Sequence, residues 1–271
     1  MPFPPPPASD FVVDATDADV AFFAANGYCV VDCVTTQEEL EWLRLVYDSL
    51  IDRPRSGFLD AVFDLSAPYG TLAPPTLGQL LFPERHAPQI RATAMWKNAK
   101  RIASRLLATP DEQIENWGHL MFKPPRVGTV TPWHQDEAYW EPHLDYHAVA
   151  SWMPLDDADV DNGCLWFLPG SHRGDIGTHR HGNDDPSVHV LELIDEPDTT
   201  NAVAVPLEAG AMSFHHPRTM HYAGPNTTDR RRRAWANEYQ TKPVKRDVPL
   251  DRPWVKAGFD ALRQLTAAAK R

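Results

Sequence analysis

The chain has 271 residues, of which 42% are hydrophobic and 23% charged, and a formal net charge of −11. That length suits one large core, and the negative balance argues against nucleic acid or an anionic membrane surface as a partner. No run approaches the roughly 18 apolar residues a membrane helix needs.

In chain order, MPFPPPPASDF lacks the basic start and apolar run of a secretory signal, so a cytoplasmic setting is expected; the C-terminal Ala-Lys-Arg is no peroxisomal address. Residues 1–15 read as a flexible, proline-rich, polyproline-like tail, because proline supplies no sheet donor. Residues 16–271 read as one domain. Asp19 to Ala25 predicts a short helix stopped by Gly27, with a strand from Tyr28. Thr36-x-x-Glu39 reads as a capping box ahead of a helix that repeats Leu40, Leu43, Val46, Tyr47 and Leu50 at helical spacing. The proline- and glycine-rich stretch 52–88 predicts a long loop of the kind that serves as a lid or binding loop. A third helix is expected from about Gln89 to Leu107. Beyond Trp117 the texture turns to short β-branched and aromatic runs: WGHLMFK, TVTPWHQD, HAVASWMPL, CLWFLP, HVLELI, AVAVPL, AMSFHH, MHYAGP and AWANEYQ. Turn residues separate them, which predicts an antiparallel jelly roll behind a helical N-terminal layer.

Three cysteines, Cys29, Cys33 and Cys164, make an odd count with no C-x-x-C pair, which argues against a disulfide framework or thiolate zinc. Cys29 and Cys33 stand four residues apart on a predicted strand, about 13 Å, too far to bridge. Asn226-Thr227-Thr228 matches a glycosylation sequon and is read as accidental in a chain with no secretion signal.

The chemistry concentrates in Thr131-Pro132-Trp133-His134-Gln135-Asp136. Residues two apart on a strand share a face, so His134 and Asp136 aim together and Gln135 turns away. His221 lies 87 residues later on another predicted strand. Two imidazoles and a carboxylate on one face of an octahedral metal form the facial triad of non-haem iron(II), with positions left for a 2-oxo acid and O2. Taken alone, H-x-D is a weak signal, more often a surface accident or a core hydrogen bond. Iron(II), one carboxylate and the 2-oxoglutarate dianion together carry one net negative charge. The far carboxylate of such a co-substrate in a dry barrel needs a cation, and arginine pairs both oxygens. Arg230 to Arg233 follow His221 through a Gly-Pro-Asn turn, and alternation lets two of the four face inward.

The pieces NGYCVV, FKPPRVGTVTPWHQD, DNGCLWFLPGSH and HYAGPN with arginines after it make the chain resemble the phytanoyl-CoA dioxygenase (PhyH-like) family of Fe(II)/2-oxoglutarate-dependent oxygenases. The resemblance covers most of residues 20–240 and is strongest over 117–236. It implies a double-stranded β-helix (jelly roll, cupin-like), iron held by His134, Asp136 and His221, and 2-oxoglutarate bound by Arg232. It places Trp152 beside the co-substrate, with Met121 or its strand neighbour His119 in the same pocket. It also implies a dioxygenase that releases succinate and CO2, with ascorbate as a supporting reductant. Because Asp136 keeps the carboxylate that halogenase relatives replace, hydroxylation of a small metabolite is the implied outcome. Desaturation, epimerisation or cyclisation on the same cofactors stays open.

Glu137, Tyr139 and Trp140 follow the first two ligands and are expected at the mouth as substrate contacts, or as rim packing in Trp140's case. His172, His179, His181 and His189 fit no tight metal motif and read as structural or solvated. His215 and His216 are rival ligands to His221. A cupin-like binding module without turnover is the reading from another class, and it has no use for a buried cation near the metal. A zinc hydrolase lacks a clear general base beside the ligands. The substrate and the oligomeric state are not written in the sequence.

Overall fold

In a computed structural model describing residues 3–53 and 55–269, two antiparallel sheets face each other and helices cover the outer face of the larger one. The larger sheet has seven strands in the order β1 (Tyr28–Val31), β12 (Met212–His215), β7 (Ala148–Pro154), β14 (Arg232–Gln240), β4 (Glu115–Lys123), β3 (Gly78–Leu81) and β2 (Phe63–Asp64). The smaller runs β11 (Val203–Val205), β8 (Leu165–Phe167), β13 (His221–Ala223) and β5 (Thr131–His134). Two short pairs complete the β structure: β9 (His179–His181) with β10 (Leu191–Leu193), and β6 (Leu144–Asp145) with β15 (Val244–Lys245). The protein is mainly β, as expected, but the sheets face one another without closing into a barrel.

Strand alternation sorts side chains between two cores. From β4, Leu120 and Phe122 point to the helical layer, as do Val149 and Met153 of β7 and Trp235 and Tyr239 of β14. They pack on Leu40, Leu43, Val46, Tyr47 and Leu50 of α2 (Gln37–Ile51) and on Met95, Ala99 and Ile102 of α4 (Ala94–Leu106), all buried. The opposite parity of the same strands, including Trp152 and Ala234, faces the small sheet and packs with Leu165, Phe167 and Ala223. One set of alternating residues thus holds the helices, and the other lines the space between the sheets.

The short helix α1 (Asp17–Asn26) ends at Gly27 in the left-handed region, φ 81°. A Cβ there would come within 2.4 Å of His172 Nδ1 and 2.5 Å of Thr219 Oγ1, so glycine serves both conformation and close approach. Thr36 caps α2 by accepting from Glu39 N, yet the reciprocal half of the expected box is missing. Glu39 instead accepts from the backbone N–H groups of Ala94 and Met95, at 2.6 and 2.9 Å, and so caps α4. That explains why the third helix starts at Ala94 and not at Gln89, which lies in a 3-10 turn, Pro88–Ala92. The 52–88 stretch is not all loop: β2, β3 and the single turn α3 (Pro83–His86) form within it, because β3 pairs with β4.

Residues 3–15 make contacts with side chains of the helical layer. They form no helix or strand, but Trp42 Nε1 donates to Pro4 O, Gln89 Nε2 to Phe3 O and Asn98 Nδ2 to Phe11 O. Proline carbonyls still accept, and side chains of the helical layer supply the donors. Met1 and Pro2 lie outside the described residues. A C-terminal helix, α5 (Pro253–Ala269), was not anticipated; Trp254 and Val255 at its start pack with Ala138 and Leu191. Cys29, Cys33 and Cys164 are free thiols.

Candidate active site

The antiparallel pairing of β13 with β5 sets His221 directly opposite His134, which closes the 87-residue gap in one register pair. β5 ends at His134, Gln135 remains extended, and Asp136 opens a 3-10 turn, so alternation still delivers Asp136 to the side of His134. His134 Nε2 lies 3.6 Å and His221 Nε2 3.5 Å from Asp136 Oδ1, and the three ligand atoms lie within 4.8 Å of one another. Gln135 turns away as expected: its amide accepts from Gly177 N and donates to Arg218 O, at 2.8 Å each.

Each ring is oriented by its other nitrogen. His134 Nδ1 donates to Pro132 O at 2.8 Å, and His221 Nδ1 to Thr219 O at 2.9 Å. A carbonyl only accepts, so the proton sits on Nδ1 and the Nε2 lone pair of both rings points into the gap. Burial and then His134 hold His221 well below the usual histidine range, which keeps it a neutral ligand. Thr219 is in turn fixed by its hydroxyl donating to Gly27 O at 2.7 Å. His215, the rival ligand, donates from Nε2 to Asp136 Oδ2 at 2.9 Å, which leaves Oδ1 for the gap. Burial opposes ionisation of Asp136, but His221, His134 and His215 outweigh it and hold the carboxyl well below its usual range. His216 plays no part in this set; its Nδ1 accepts from Arg218 N.

The three groups open on a cavity of about 350 Å³ between the sheets. At its β14 end stands Arg232, 2% exposed, with Nε and Nη1 lacking any partner among the described residues. Its guanidinium lies 5.3 Å from the centre of the Trp152 ring, and burial lowers its pKa only to about 10, so it stays charged. Arg230 and Arg231 are exposed, and Arg233 pairs with Asp156 and Asp48, so one of the four arginines faces inward where alternation allowed two. Met121 and His119 both line the cavity, as do Trp152, Tyr139 and Trp140. A separate open depression of about 500 Å³, lined by Asp48, Asp52, Arg231 and Arg233 among others, contains none of these histidines.

The family described as phytanoyl-CoA dioxygenase (PhyH) matches residues 23–234, most of the chain. The chain belongs to that family. A probable alpha-ketoglutarate-dependent hypophosphite dioxygenase from Stutzerimonas stutzeri is 36% identical over 117 residues, covering 42% of this chain and 40% of that protein. The peroxisomal phytanoyl-CoA dioxygenase of Mus musculus is 33% identical over 122 residues, covering 43% and 36%. The chain thus aligns with about two fifths of the length of the curated relatives it matches. The crystal structure of EvdO2 from Micromonospora carbonacea var. aurantiaca complexed with 2-oxoglutarate superposes with a TM-score of 0.80 at 37% identity, covering 91% of this chain and 99% of that one.

Whether this PhyH-family chain fits the iron and 2-oxoglutarate of such relatives is decided by its own side chains. The donor set of two neutral nitrogens and one carboxylate oxygen suits iron(II). The unpartnered nitrogens of a buried guanidinium in the same cavity suit a dianion whose far carboxylate must be paired. The fit is good on both counts.

Glu137 is not a mouth residue. Its side chain, 1% exposed, pairs with Arg218 at 2.7 Å and Arg252 at 2.9 Å and does not line the cavity. Burial would raise its pKa, but these two guanidiniums outweigh that and hold the carboxyl below the usual range. It clamps the 3-10 turn after Asp136 to the 216–219 turn and to the start of α5. Tyr139 lines the cavity with its ring, edge-on to His134, while its hydroxyl accepts from Leu191 N at 2.8 Å. Of the four histidines read as structural, His179 accepts from Gln135 N and His181 bridges Val188 O and Trp254 O. His189 differs: it lines the cavity, stacked on Tyr139 and bonded to Tyr69 at 2.6 Å. The sequence reading also missed Gln79, Leu81 and Phe82 from the 52–88 stretch, and Trp117 and Glu238. The last two were within reach, since parity along β4 from Met121 and along β14 from Arg232 carries both inward.

Proposed function

We propose that this protein is an iron(II)- and 2-oxoglutarate-dependent dioxygenase that hydroxylates a small molecule. The carrying observation is that three converging ligand atoms and an unpartnered buried arginine share one cavity. His134 and His221 would hold iron through Nε2 and Asp136 through Oδ1. When bound, iron and 2-oxoglutarate supply the oxidising power: O2 is consumed, the co-substrate leaves as succinate and CO2, and one oxygen atom goes to the substrate. The protein's own work is to position reactants and exclude water. His215 keeps Asp136 from rotating, the carbonyls of Pro132 and Thr219 keep the imidazoles aimed, and Arg232 would pair the far carboxylate of 2-oxoglutarate. Trp152 and Met121 give that half of the cavity a dry wall. Tyr139 and Trp140, which line the same cavity, would face the substrate.

No helix among the described residues is long and apolar enough to cross a membrane, and a cytoplasmic protein with a small-molecule partner is our reading. Purified protein supplied with iron(II), ascorbate and 2-oxoglutarate should release succinate, faster with a substrate from a metabolite screen. Asp136→Ala should abolish release. Wild-type turnover in that variant would overturn the assignment, and a protein that binds both cofactors without ever releasing succinate would be a binding module.

A further inference from the structure

Glu238 is a carboxyl that the reading above leaves without a task. On β14 it shares the inward face with Arg232, Ala234 and Ala236, six residues and about 20 Å along the strand from Arg232. Register places it in one row with Trp117 of β4, Ala150 of β7 and His215 of β12, and His215 is the residue that touches Asp136. Glu238 therefore lies in the part of the cavity away from Arg232. A co-substrate held between the metal ligands and Arg232 would leave Glu238 to the other reactant.

The side chain is partly exposed, and that exposure is to the cavity; its Oε2 is buried with no hydrogen-bond partner, and no ion pair among the described residues includes it. Arg232 is the one arginine or lysine on the cavity wall among the described residues, and the co-substrate would use it. His119 and His189 offer no cation either, because burial lowers them to about 4 and about 3. Iron, Asp136 and 2-oxoglutarate carry one net negative charge, which Arg232 cancels. A substrate anion would add negative charge beside Glu238 with nothing left to meet it. An ammonium would find a carboxyl oxygen in need of an N–H donor, and the aromatic faces of Trp117 and Trp140 line the same space.

We propose that Glu238 is the specificity-determining residue of the cavity's outer half and that it selects a substrate carrying a protonated amine. This rests on the iron/2-oxoglutarate reading of the same site. Burial and then Asp136 push the Glu238 carboxyl well above the usual range. A positive charge against Oε2 reverses that preference, whereas an alcohol does not.

Calorimetric titration of the Mn(II)- and 2-oxoglutarate-loaded protein with benzylamine, benzyl alcohol and benzoate tests the inference without turnover. The amine is expected to bind about tenfold or more tighter than the alcohol, a ratio set by one charge-assisted bond, and benzoate not to bind. Glu238→Gln should bring the amine-to-alcohol ratio close to one, and Glu238→Asp, which keeps the charge, should preserve part of it. Equal affinity for amine and alcohol in wild type overturns the proposal even if no variant folds. So does a preference that survives in Glu238→Gln, or failure of the amine to bind protein that has taken up 2-oxoglutarate. If 2-oxoglutarate itself does not bind, the parent reading falls first and this one with it.

Discussion

Replacing Arg232 with methionine should move two measurements in opposite directions. In wild type, Nε and Nη1 of a fully charged guanidinium are buried without partners, and an unmet buried polar group costs about 1–3 kcal/mol, more when charged. Met fills a similar volume and removes that cost, so the ligand-free variant should be more stable by about 1–2 kcal/mol, or several degrees in Tm for a chain of this size. The same change deletes the two charge-assisted bonds that 2-oxoglutarate would accept, each worth about 1.5–3 kcal/mol. Taking the low end, about 3 kcal/mol, the Kd for 2-oxoglutarate should rise by roughly two orders of magnitude. Thermal unfolding with Mn(II), with and without 2-oxoglutarate at about 100 times the wild-type Kd, reads both effects: wild type should gain about 2.7 kcal/mol from the ligand and the variant close to nothing. A variant of lower ligand-free Tm and unchanged Kd would show that Arg232 is a structural cation, and the argument from its unpaired nitrogens would be refuted.

Three further changes follow from the same geometry. His215→Phe removes the donor that holds Asp136 Oδ2 and should weaken Mn(II) binding by about 10–100-fold; a shift under twofold by calorimetry would mean that the carboxylate needs no such restraint. Glu137→Gln strips charge from a pair whose Arg252 side chain is 2% exposed, so urea unfolding should show a loss of about 3–5 kcal/mol, and near-wild-type stability would return Glu137 to the list of substrate residues. His179 is lowered to about 4 by burial, with Gly177 O opposing and His134 adding. The unfolded chain therefore binds its proton first, near 6.5, and the contribution of neutral His179, at most about 3 kcal/mol, is complete above that pH and drains as pH falls through about 4. His179→Gln keeps an acceptor for Gln135 N without titrating, so its stability should fall less steeply between those pH values; identical slopes would place the acid sensitivity elsewhere.

Much of this site could be read from the order of residues because strands obey strict parity. His134 and Asp136 are two apart, and Met121 and His119 share a face, so each could be placed once its strand was recognised; parity left two of the four arginines open, and only the family resemblance pointed to Arg232. Glu137 failed for the reason that Asp136 succeeded. The strand stops at His134, the chain enters a 3-10 turn, and the next carboxylate swings to arginines at 218 and 252, which no local pattern connects to it. Glu39 misled in the same way: its spacing from Thr36 satisfies a capping box, yet its carboxylate serves a helix 55 residues further on. The 52–88 stretch hid two strands because β4 pairs with β3 and β3 in turn with β2, a pairing that their own composition does not advertise. These three misreadings involve charged or short segments whose conformation is decided by a distant partner, whereas the strand-face readings rest on a period that the backbone enforces locally.

Several unmet polar atoms border the cavity, and others, such as Trp235 Nε1, lie in the core that faces the helices. Glu137, Glu39 and Gln135 are as buried as the ligands, and bonds that hold the fold together engage their side chains. Arg232, Glu238 and His215 each keep a nitrogen or oxygen with no partner, and all three border one cavity. Folding alone disfavours such an arrangement, since a charged or polar group buried and unpaired destabilises the native state. Hydrophobic residues of similar volume would relieve that penalty at no cost to the sheets. On the proposed reading, a guanidinium and a carboxyl left open in different parts of one cavity would receive two reactants, an anion at the first and a donor at the second.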